Sequence, residues 1–121
     1  MRALVLKTLI QVVSGRAVSR DDMEDAACTL GISLLSLCDE FALEIAQGFM
    51  RGEYSWEFGD AAMNRLYSCA YGSADFGLPD FAFQVYEAFD EGEYRHLNQP
   101  GPDGPPRTRA LLEPLLAKPR S

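Results

Sequence analysis

Five glycines divide the first 92 residues into stretches whose apolar residues recur every three or four positions. The glycines are Gly15, Gly31, Gly52, Gly72 and Gly92. This period matches one face of an α-helix, and glycine is common just past the end of a helix. The pattern predicts an all-α fold: a single-domain antiparallel helical bundle of about five helices.

Local signals refine these boundaries. Residues 2–14 are rich in β-branched side chains, so a strand is the minority alternative for that stretch. Ser19 and Ser55 stand where N-caps are expected, and Pro79 suits the first turn of the last helix. Gly31 either separates two helices or bends one, because a mid-helix glycine costs about 1 kcal/mol relative to alanine. We favour two helices, or one with a marked bend.

The composition changes at Asn98, where the sequence NQPGPDGPP begins. This segment cannot form a helix or a central strand. The change predicts a helical bundle domain over residues 1–97 and a flexible Pro/Gly-rich tail over residues 98–121. Four leucines follow in TRALLEPLLAKPRS and could touch the body or a partner, but Pro114 is expected to interrupt any helix they build.

Charge is distributed unevenly along the chain, whose formal net charge is −7 at pH 7. Residues 1–20 hold four bases and no acid, residues 21–93 hold sixteen acids and two bases, and residues 94–121 hold five bases and two acids. Phosphate binding depends on Lys and Arg, so the acidic middle argues against nucleic acid as a ligand. The excess of acid either keeps the protein in solution or attracts a basic protein surface and speeds its association.

Cysteine usage is sparse. Cys28, Cys38 and Cys69 form no CxxC pair, and His96 is the single histidine. A zinc site needs a denser set of ligands, so we expect three buried, reduced cysteines, no metal and a cytoplasmic setting. Polar residues interrupt the apolar N-terminus, and no stretch approaches the ~20 apolar residues that cross a bilayer. We therefore expect neither an export signal nor a membrane span.

The sequence carries no signature of catalysis: it has no phosphate-binding loop, no GxSxG and no HExxH. Two groups of carboxylates are spaced to share a helix face, and either could hold a metal or transfer protons, although a solvated face is the simpler interpretation. These are Asp39, Glu40 and Glu44, and Glu53, Glu57 and Asp60. We predict a binding protein without catalytic residues, cofactor or metal.

The pattern F-x-x-G-E-Y ends two of the predicted helices, at residues 49–54 and 89–94. Each glycine can adopt the left-handed conformation and each tyrosine can fold back over the phenylalanine, so a shared C-cap explains the repeat. If the two helices pack side by side in the same direction, both turns also present rings among carboxylates, a receptor for arginine and lysine. The predicted partner-binding residues are Glu53, Tyr54, Trp56, Glu57, Asp60, Asp90, Glu91, Glu93 and Tyr94.

The segments GEYSWEFGDAAMNRLY and AFDEGEYRH, in a short acidic helical chain, give residues 1–97 a general resemblance to a group of bacterial proteins. The chain resembles the small immunity proteins that neutralise toxins of contact-dependent, type VI or colicin-like systems. The resemblance implies an acidic surface that covers the basic active site of a cognate toxin, often a nuclease. It identifies no residue by position.

Other functions remain open. An adaptor or secretion chaperone would hold an effector segment in an apolar groove and form a stable homodimer. Mimicry of nucleic acid by rows of carboxylates is a variant of inhibition, and an enzyme that uses paired carboxylates comes last. The leading prediction is a monomer or weak homodimer that binds a toxin or effector protein with a basic surface, and that binds neither nucleic acid nor membrane.

Overall fold

The computed structural model describes residues 2–72, 76–93 and 104–117. Within these ranges the chain forms helices joined by turns and contains no strand. The helices are α1 (Arg2–Gly15), α2 (Arg20–Leu30), α3 (Leu34–Met50), α4 (Trp56–Tyr71), α5 (Asp80–Glu91) and α6 (Pro105–Ala117). The predicted all-α helical bundle is confirmed, with six helices in the described ranges where about five were expected.

Serine side chains begin three of these helices. The Ser19 hydroxyl accepts the backbone N–H of Asp22, and the Asp22 carboxylate accepts the backbone N–H of Ser19, which together form a capping box. Ser33 and Ser55 cap α3 and α4 in the same way through one bond each. Each cap contributes about 1 kcal/mol, so these helix starts are fixed by local sequence.

Gly31 separates two helices rather than bending one. Its φ of 68° is left-handed, and its N–H donates to the carbonyls of Ala27 and Cys28 at the end of α2. The axes of α2 and α3 differ in direction by 92°. Among the described residues, no single helix has both the length and the hydropathy needed to cross a membrane, and α2 and α3 reach them only as a pair across this bend.

The central helix of the core is α3, which contacts each of the other five. Its inward face is almost fully buried, and a large apolar side chain contributes about 1.5–3 kcal/mol when it is removed from water. The buried residues of this face are Leu37, Cys38, Phe41, Ala42, Ile45, Ala46 and Phe49. The other helices are therefore positioned by their packing on α3.

The cysteines do not share one environment. Cys38 and Cys69 are buried in the core, and burial raises the pKa of the Cys38 thiol to about 12. Cys28 is exposed, so the prediction that all three are buried is wrong. The reason is the orientation of α2, which turns Met23 and Ala27 toward the core and leaves Cys28 on its outer side.

The helices α4 and α5 run antiparallel. Near the turn that joins them, the Tyr71 hydroxyl accepts the backbone N–H of Leu78 at 3.1 Å. Farther from the turn, the rings of Tyr67 and Tyr86 stack with centroids 4.2 Å apart. This pair of helices carries most of the residues that matter for the site.

The prediction of a flexible tail over residues 98–121 is wrong for residues 105–117, which form α6 and pack on α5 and α3. Leu112 and Thr108 are fully buried in this packing. Pro114 lies inside the helix and removes one backbone donor without ending it. Local composition was outweighed by tertiary contact, as is common for short helices.

Basic residues from both ends of the chain contact the acidic middle. The Arg16 guanidinium binds both carboxylate oxygens of Asp22, at 2.8 and 3.0 Å, and holds the pKa of Asp22 well below its usual range. From α6, the Arg107 Nε lies 3.6 Å from the Glu91 Oε2. Part of the acidic charge is therefore balanced within the protein.

Candidate functional site

The two F-x-x-G-E-Y turns lie at the same end of the bundle. Near the start of α5, the Asp39 carboxylate on α3 accepts the backbone N–H of Ala82 at 3.1 Å. Near the ends of the same two helices, the rings of Phe49 and Phe89 meet edge to face with centroids 5.5 Å apart. The helices α3 and α5 thus run in the same direction, and the description of the bundle as antiparallel does not hold for this pair.

The glycines of the two turns serve different purposes. Gly52 has a φ of 82°, the left-handed conformation expected past a helix end. Gly92 has a φ of −71°, so the same prediction is wrong there. A Cβ at Gly92 would collide with the Thr108 hydroxyl on α6 and would lie 3.0 Å from both the Gly104 carbonyl oxygen and the Trp56 Nε1. The glycine is needed at this position because α6 packs against it.

Tyr54 folds back onto α3, but onto Gly48 rather than Phe49, so that detail of the prediction is wrong. A side chain at Gly48 would collide with the Tyr54 ring, which also stacks on Phe58 at a centroid distance of 4.9 Å. The Tyr54 hydroxyl donates to the Glu44 Oε2 at 2.9 Å. Burial, assisted by this bond, raises the pKa of Tyr54 to about 12. The hydroxyl is therefore engaged inside the protein.

Glu53 is paired locally. Its Oε1 lies 2.9 Å from the Arg51 Nε, and the guanidinium lowers the pKa of the Glu53 carboxyl. Both side chains are close to half exposed, so the pair contributes little to stability. Glu57, on the first turn of α4, is exposed.

Trp56 and Glu91 face α6. The Trp56 Nε1 donates to the Thr108 hydroxyl at 2.9 Å, and that hydroxyl donates to the Ala88 carbonyl at 2.8 Å. Glu91 pairs with Arg107, as described above. Both residues were predicted to bind a partner, and both instead contact α6, a helix that the sequence did not predict.

Asp60, Asp90 and Glu93 form a carboxylate cluster where the start of α4 meets the end of α5. Burial, a hydrogen bond to Glu93 and the nearby negative charges raise the pKa of Asp60 to about 7. Burial and the charges of Glu93 and Glu91 also raise the pKa of Asp90. The Asn64 amide donates to the Glu93 Oε2 at 3.2 Å. In the described part of the chain, no basic side chain forms an ion pair with the cluster.

A close approach of α4 to α5 explains why Asp60 is half-buried. A Cβ on the preceding residue, Gly59, would lie only 2.7 Å from the ring of Phe89, which is fully buried. Glycine therefore lets the two helices come together and draws Asp60 out of water. The Asp60 Oδ1 is buried without a hydrogen-bond partner among the described residues. An unsatisfied buried acceptor of this kind destabilises the free protein.

A second group, missed in the sequence, lies beside the carboxylates on the same two helices. Tyr67 contacts Tyr71 at a centroid distance of 4.7 Å and stacks on Tyr86, which in turn contacts Phe83 at 6.1 Å. We call these four residues the tyrosine cluster. Tyr71 is 47% exposed and the other three are half-buried.

The spacing of α4 contained a signal for this arrangement. Asp60, Asn64, Tyr67 and Tyr71 are separated by four, three and four positions, which places them along one side of a helix. Rings and carboxylates therefore lie on the same two helices, although these rings are not the ones predicted at the repeated turns.

The structure thus brings together only part of the predicted face. Asp60, Asp90 and Glu93 lie near one another, with Glu57 exposed one turn earlier on α4. Glu53, Tyr54, Trp56 and Glu91 are engaged in internal contacts. Tyr94 lies outside the described residues.

Neither a metal site nor a known relative defines the function. Within residues 2–72, 76–93 and 104–117, no group of three or more His, Cys, Asp and Glu side chains is arranged to hold a metal ion. No protein-family model, curated protein or solved structure matches this chain. What the protein does must be inferred from its own surface.

Proposed function

We propose that this protein is an inhibitor of the immunity type, which binds a basic toxin domain, such as a nuclease, and covers its active site. Its contact surface is the carboxylate cluster together with Glu57. One observation carries the proposal: Asp60 on α4, Asp90 on α5 and Glu93 just past the end of α5 place three carboxylates near one another. The first two are partly buried, and none forms an ion pair with a basic side chain among the described residues. Such a surface attracts and orients a cationic protein face.

Binding would relieve a strain that the free protein carries. Mutual repulsion and burial both oppose the ionised form of Asp60. A guanidinium or ammonium group from a partner would neutralise the cluster and favour the ionised form of Asp60. Surfaces that destabilise the free protein but are satisfied in a complex are typical of functional sites.

The proposal differs from the sequence-based face in its residues. Glu53, Tyr54, Trp56 and Glu91 are left out, because each is engaged in contacts within the protein. In other respects the proposal is the same as the prediction from the sequence: a cytoplasmic protein that acts by binding, as a monomer or weak homodimer, without catalysis or cofactor.

Charge reversal within the cluster tests this proposal. The double variant Asp90→Lys/Glu93→Lys should weaken binding to a toxin-like protein encoded by the adjacent gene by about 100-fold or more, since it places like charges in the interface. Titration calorimetry measures the dissociation constant, and inhibition of the toxin's activity gives a second readout. In stopped-flow measurements, the association rate of the unmodified protein should fall steeply with added salt.

A matched control separates this surface from general charge. The double variant Asp25→Lys/Glu87→Lys makes the same change in net charge at exposed positions outside the cluster and should bind within about threefold of the unmodified protein. If the cluster variant inhibits the toxin as well as this control does, the proposed surface is wrong.

One observation favours the alternative of an adaptor. An apolar groove of about 340 Å³ lies between α1 and α2, and Leu4 at its edge is 65% exposed. Such a groove could hold an effector segment. An adaptor would lose its partner in a Leu4→Glu variant and keep it in the Asp90→Lys/Glu93→Lys variant, the reverse of what the inhibitor should do.

A further inference from the structure

The carboxylate cluster and the tyrosine cluster form one continuous strip along α4 and α5. On α4 the strip passes through Asp60, Asn64, Tyr67 and Tyr71, which share one side of the helix. At a rise of about 1.5 Å per residue, this part is roughly 16 Å long. The stacked rings of Tyr67 and Tyr86 join α4 to α5 within the strip.

The strip contains rings and negative charge but no positive charge of its own. Arg65 is the single basic residue of α4 and α5, and it donates to the Val13 carbonyl on α1. Because the carboxylates at one end are negatively charged, a protein segment that binds there must carry positive charge. The rings at the other end are partly exposed, most of all Tyr71 at 47%. A basic protein segment whose side chains include planar groups is therefore complementary to the strip.

We propose that the strip binds a basic protein segment whose arginine side chains contact the tyrosine cluster while its other basic residues contact the carboxylate cluster. This inference rests on the proposed function and adds a requirement to it, namely arginine rather than lysine. The guanidinium group is planar, weakly hydrated and able to stack on a ring, whereas the ammonium group of lysine is a compact, strongly hydrated charge. Both can pair with carboxylates, where arginine also gains from bidentate contact, so the part of the preference that the rings supply is measured by removing the rings.

Two peptides of equal charge measure this discrimination. Each has about ten residues, enough to extend over the strip, and places either arginine or lysine at alternate positions between glycines. Calorimetry with the full chain gives both dissociation constants at one salt concentration. The arginine peptide should bind about five- to tenfold tighter than the lysine peptide.

Variants of the rings assign the preference to the tyrosine cluster. Tyr67→Leu/Tyr71→Leu should reduce the preference for arginine to the part that the carboxylates supply, while leaving binding of the lysine peptide unchanged. Tyr67→Phe/Tyr71→Phe keeps the rings and should retain the preference. The single variant Tyr71→Leu, at the most exposed ring, should reduce it and is the least disruptive to the core. Circular dichroism and urea unfolding verify that each variant is folded.

The outcomes separate this inference from the proposed function. Equal binding of the two peptides, binding of neither, or a preference that Tyr67→Leu/Tyr71→Leu leaves undiminished would each overturn the proposed contact of arginine with the rings. None of these bears on inhibition of the toxin, which the Asp90→Lys/Glu93→Lys variant tests separately. Loss of both peptides in that charge variant, with an arginine preference that is larger when the rings are intact, would support the strip as a whole.

Discussion

At the scale of single residues, Asp60 links the site to stability. Its pKa is about 7 in the folded protein and 3.8 in a model compound. As the pH rises between these values, the unfolded chain loses this proton before the folded chain does. The contribution of Asp60 to stability is therefore retained at acidic pH and lost as the pH passes through 7. The residue that makes the surface attractive to a cation also weakens the free protein.

We predict that Asp60→Asn stabilises the protein at about pH 8 by roughly 1 kcal/mol, a value reduced to allow for the partial exposure of the side chain. At about pH 4.5 the gain should be much smaller, because Asp60 of the unmodified protein is then protonated when folded. Urea unfolding of both proteins at the two pH values measures the difference.

Glu87→Gln is the control for this experiment, since Glu87 is an exposed acid on α5 outside the cluster. It should change stability little and equally at both pH values. A gain from Asp60→Asn that is the same at pH 4.5 and pH 8 would contradict the assigned pKa.

The same residues show how far sequence predicts a site. Asp60, Asp90 and Glu93 were predicted because acids near helix ends are visible in the sequence. Their proximity depends on the close approach of α4 to α5 at Gly59, which only the packing of α4 on Phe89 reveals. Conversely, the hydrogen bond from the Tyr54 hydroxyl to Glu44 could not be predicted, because it depends on how the turn after α3 folds back onto that helix.

At the scale of helices, local signals predicted the elements that begin with a cap and end with a glycine. Ser19, Ser55 and Gly31 fix backbone geometry within a few residues of themselves, so α2 and α4 were expected with nearly their observed bounds. The helix α6 was not expected, because prolines at its start and at residue 114 argue against a helix. Its stability depends on contacts with α5 that no local pattern records.

Substitution of Leu112 tests the role of α6. This side chain is fully buried, so Leu112→Ala should reduce the free energy of unfolding by about 2–4 kcal/mol. The fluorescence of Trp56 should also shift to longer wavelength, since its indole nitrogen bonds to Thr108 on the same helix. Urea unfolding and an emission spectrum measure the two effects.

Leu111→Ala serves as the matched control, because the neighbouring leucine is 38% exposed. It should cost less than about 1 kcal/mol and leave the Trp56 emission unchanged. Equal effects of the two substitutions would mean that residues 105–117 behave as the flexible tail that the sequence suggested.

At the scale of the whole molecule, charge of one sign is concentrated in residues 21–93 and partly balanced by the two ends. The contacts of Arg16 with Asp22 and of Arg107 with Glu91 supply some of this balance. The carboxylate cluster is left without a basic partner among the described residues. Repulsion between acidic residues therefore opposes folding, and the negative charge that remains unbalanced is concentrated in the carboxylate cluster, where a basic partner can bind.

Salt should consequently have opposite effects on folding and on binding. Raising the sodium chloride concentration from ~0.02 M to ~0.5 M screens the repulsion and should increase the free energy of unfolding by up to about 1 kcal/mol. Loss of the exposed Arg16–Asp22 and Arg51–Glu53 pairs offsets little of this gain. In an Asp90→Asn/Glu93→Gln variant the increase should be smaller, because part of the repulsion is already gone. If added salt instead destabilises the unmodified protein, the ion pairs outweigh the repulsion, and the acidic middle is not the strained surface on which the proposed binding depends.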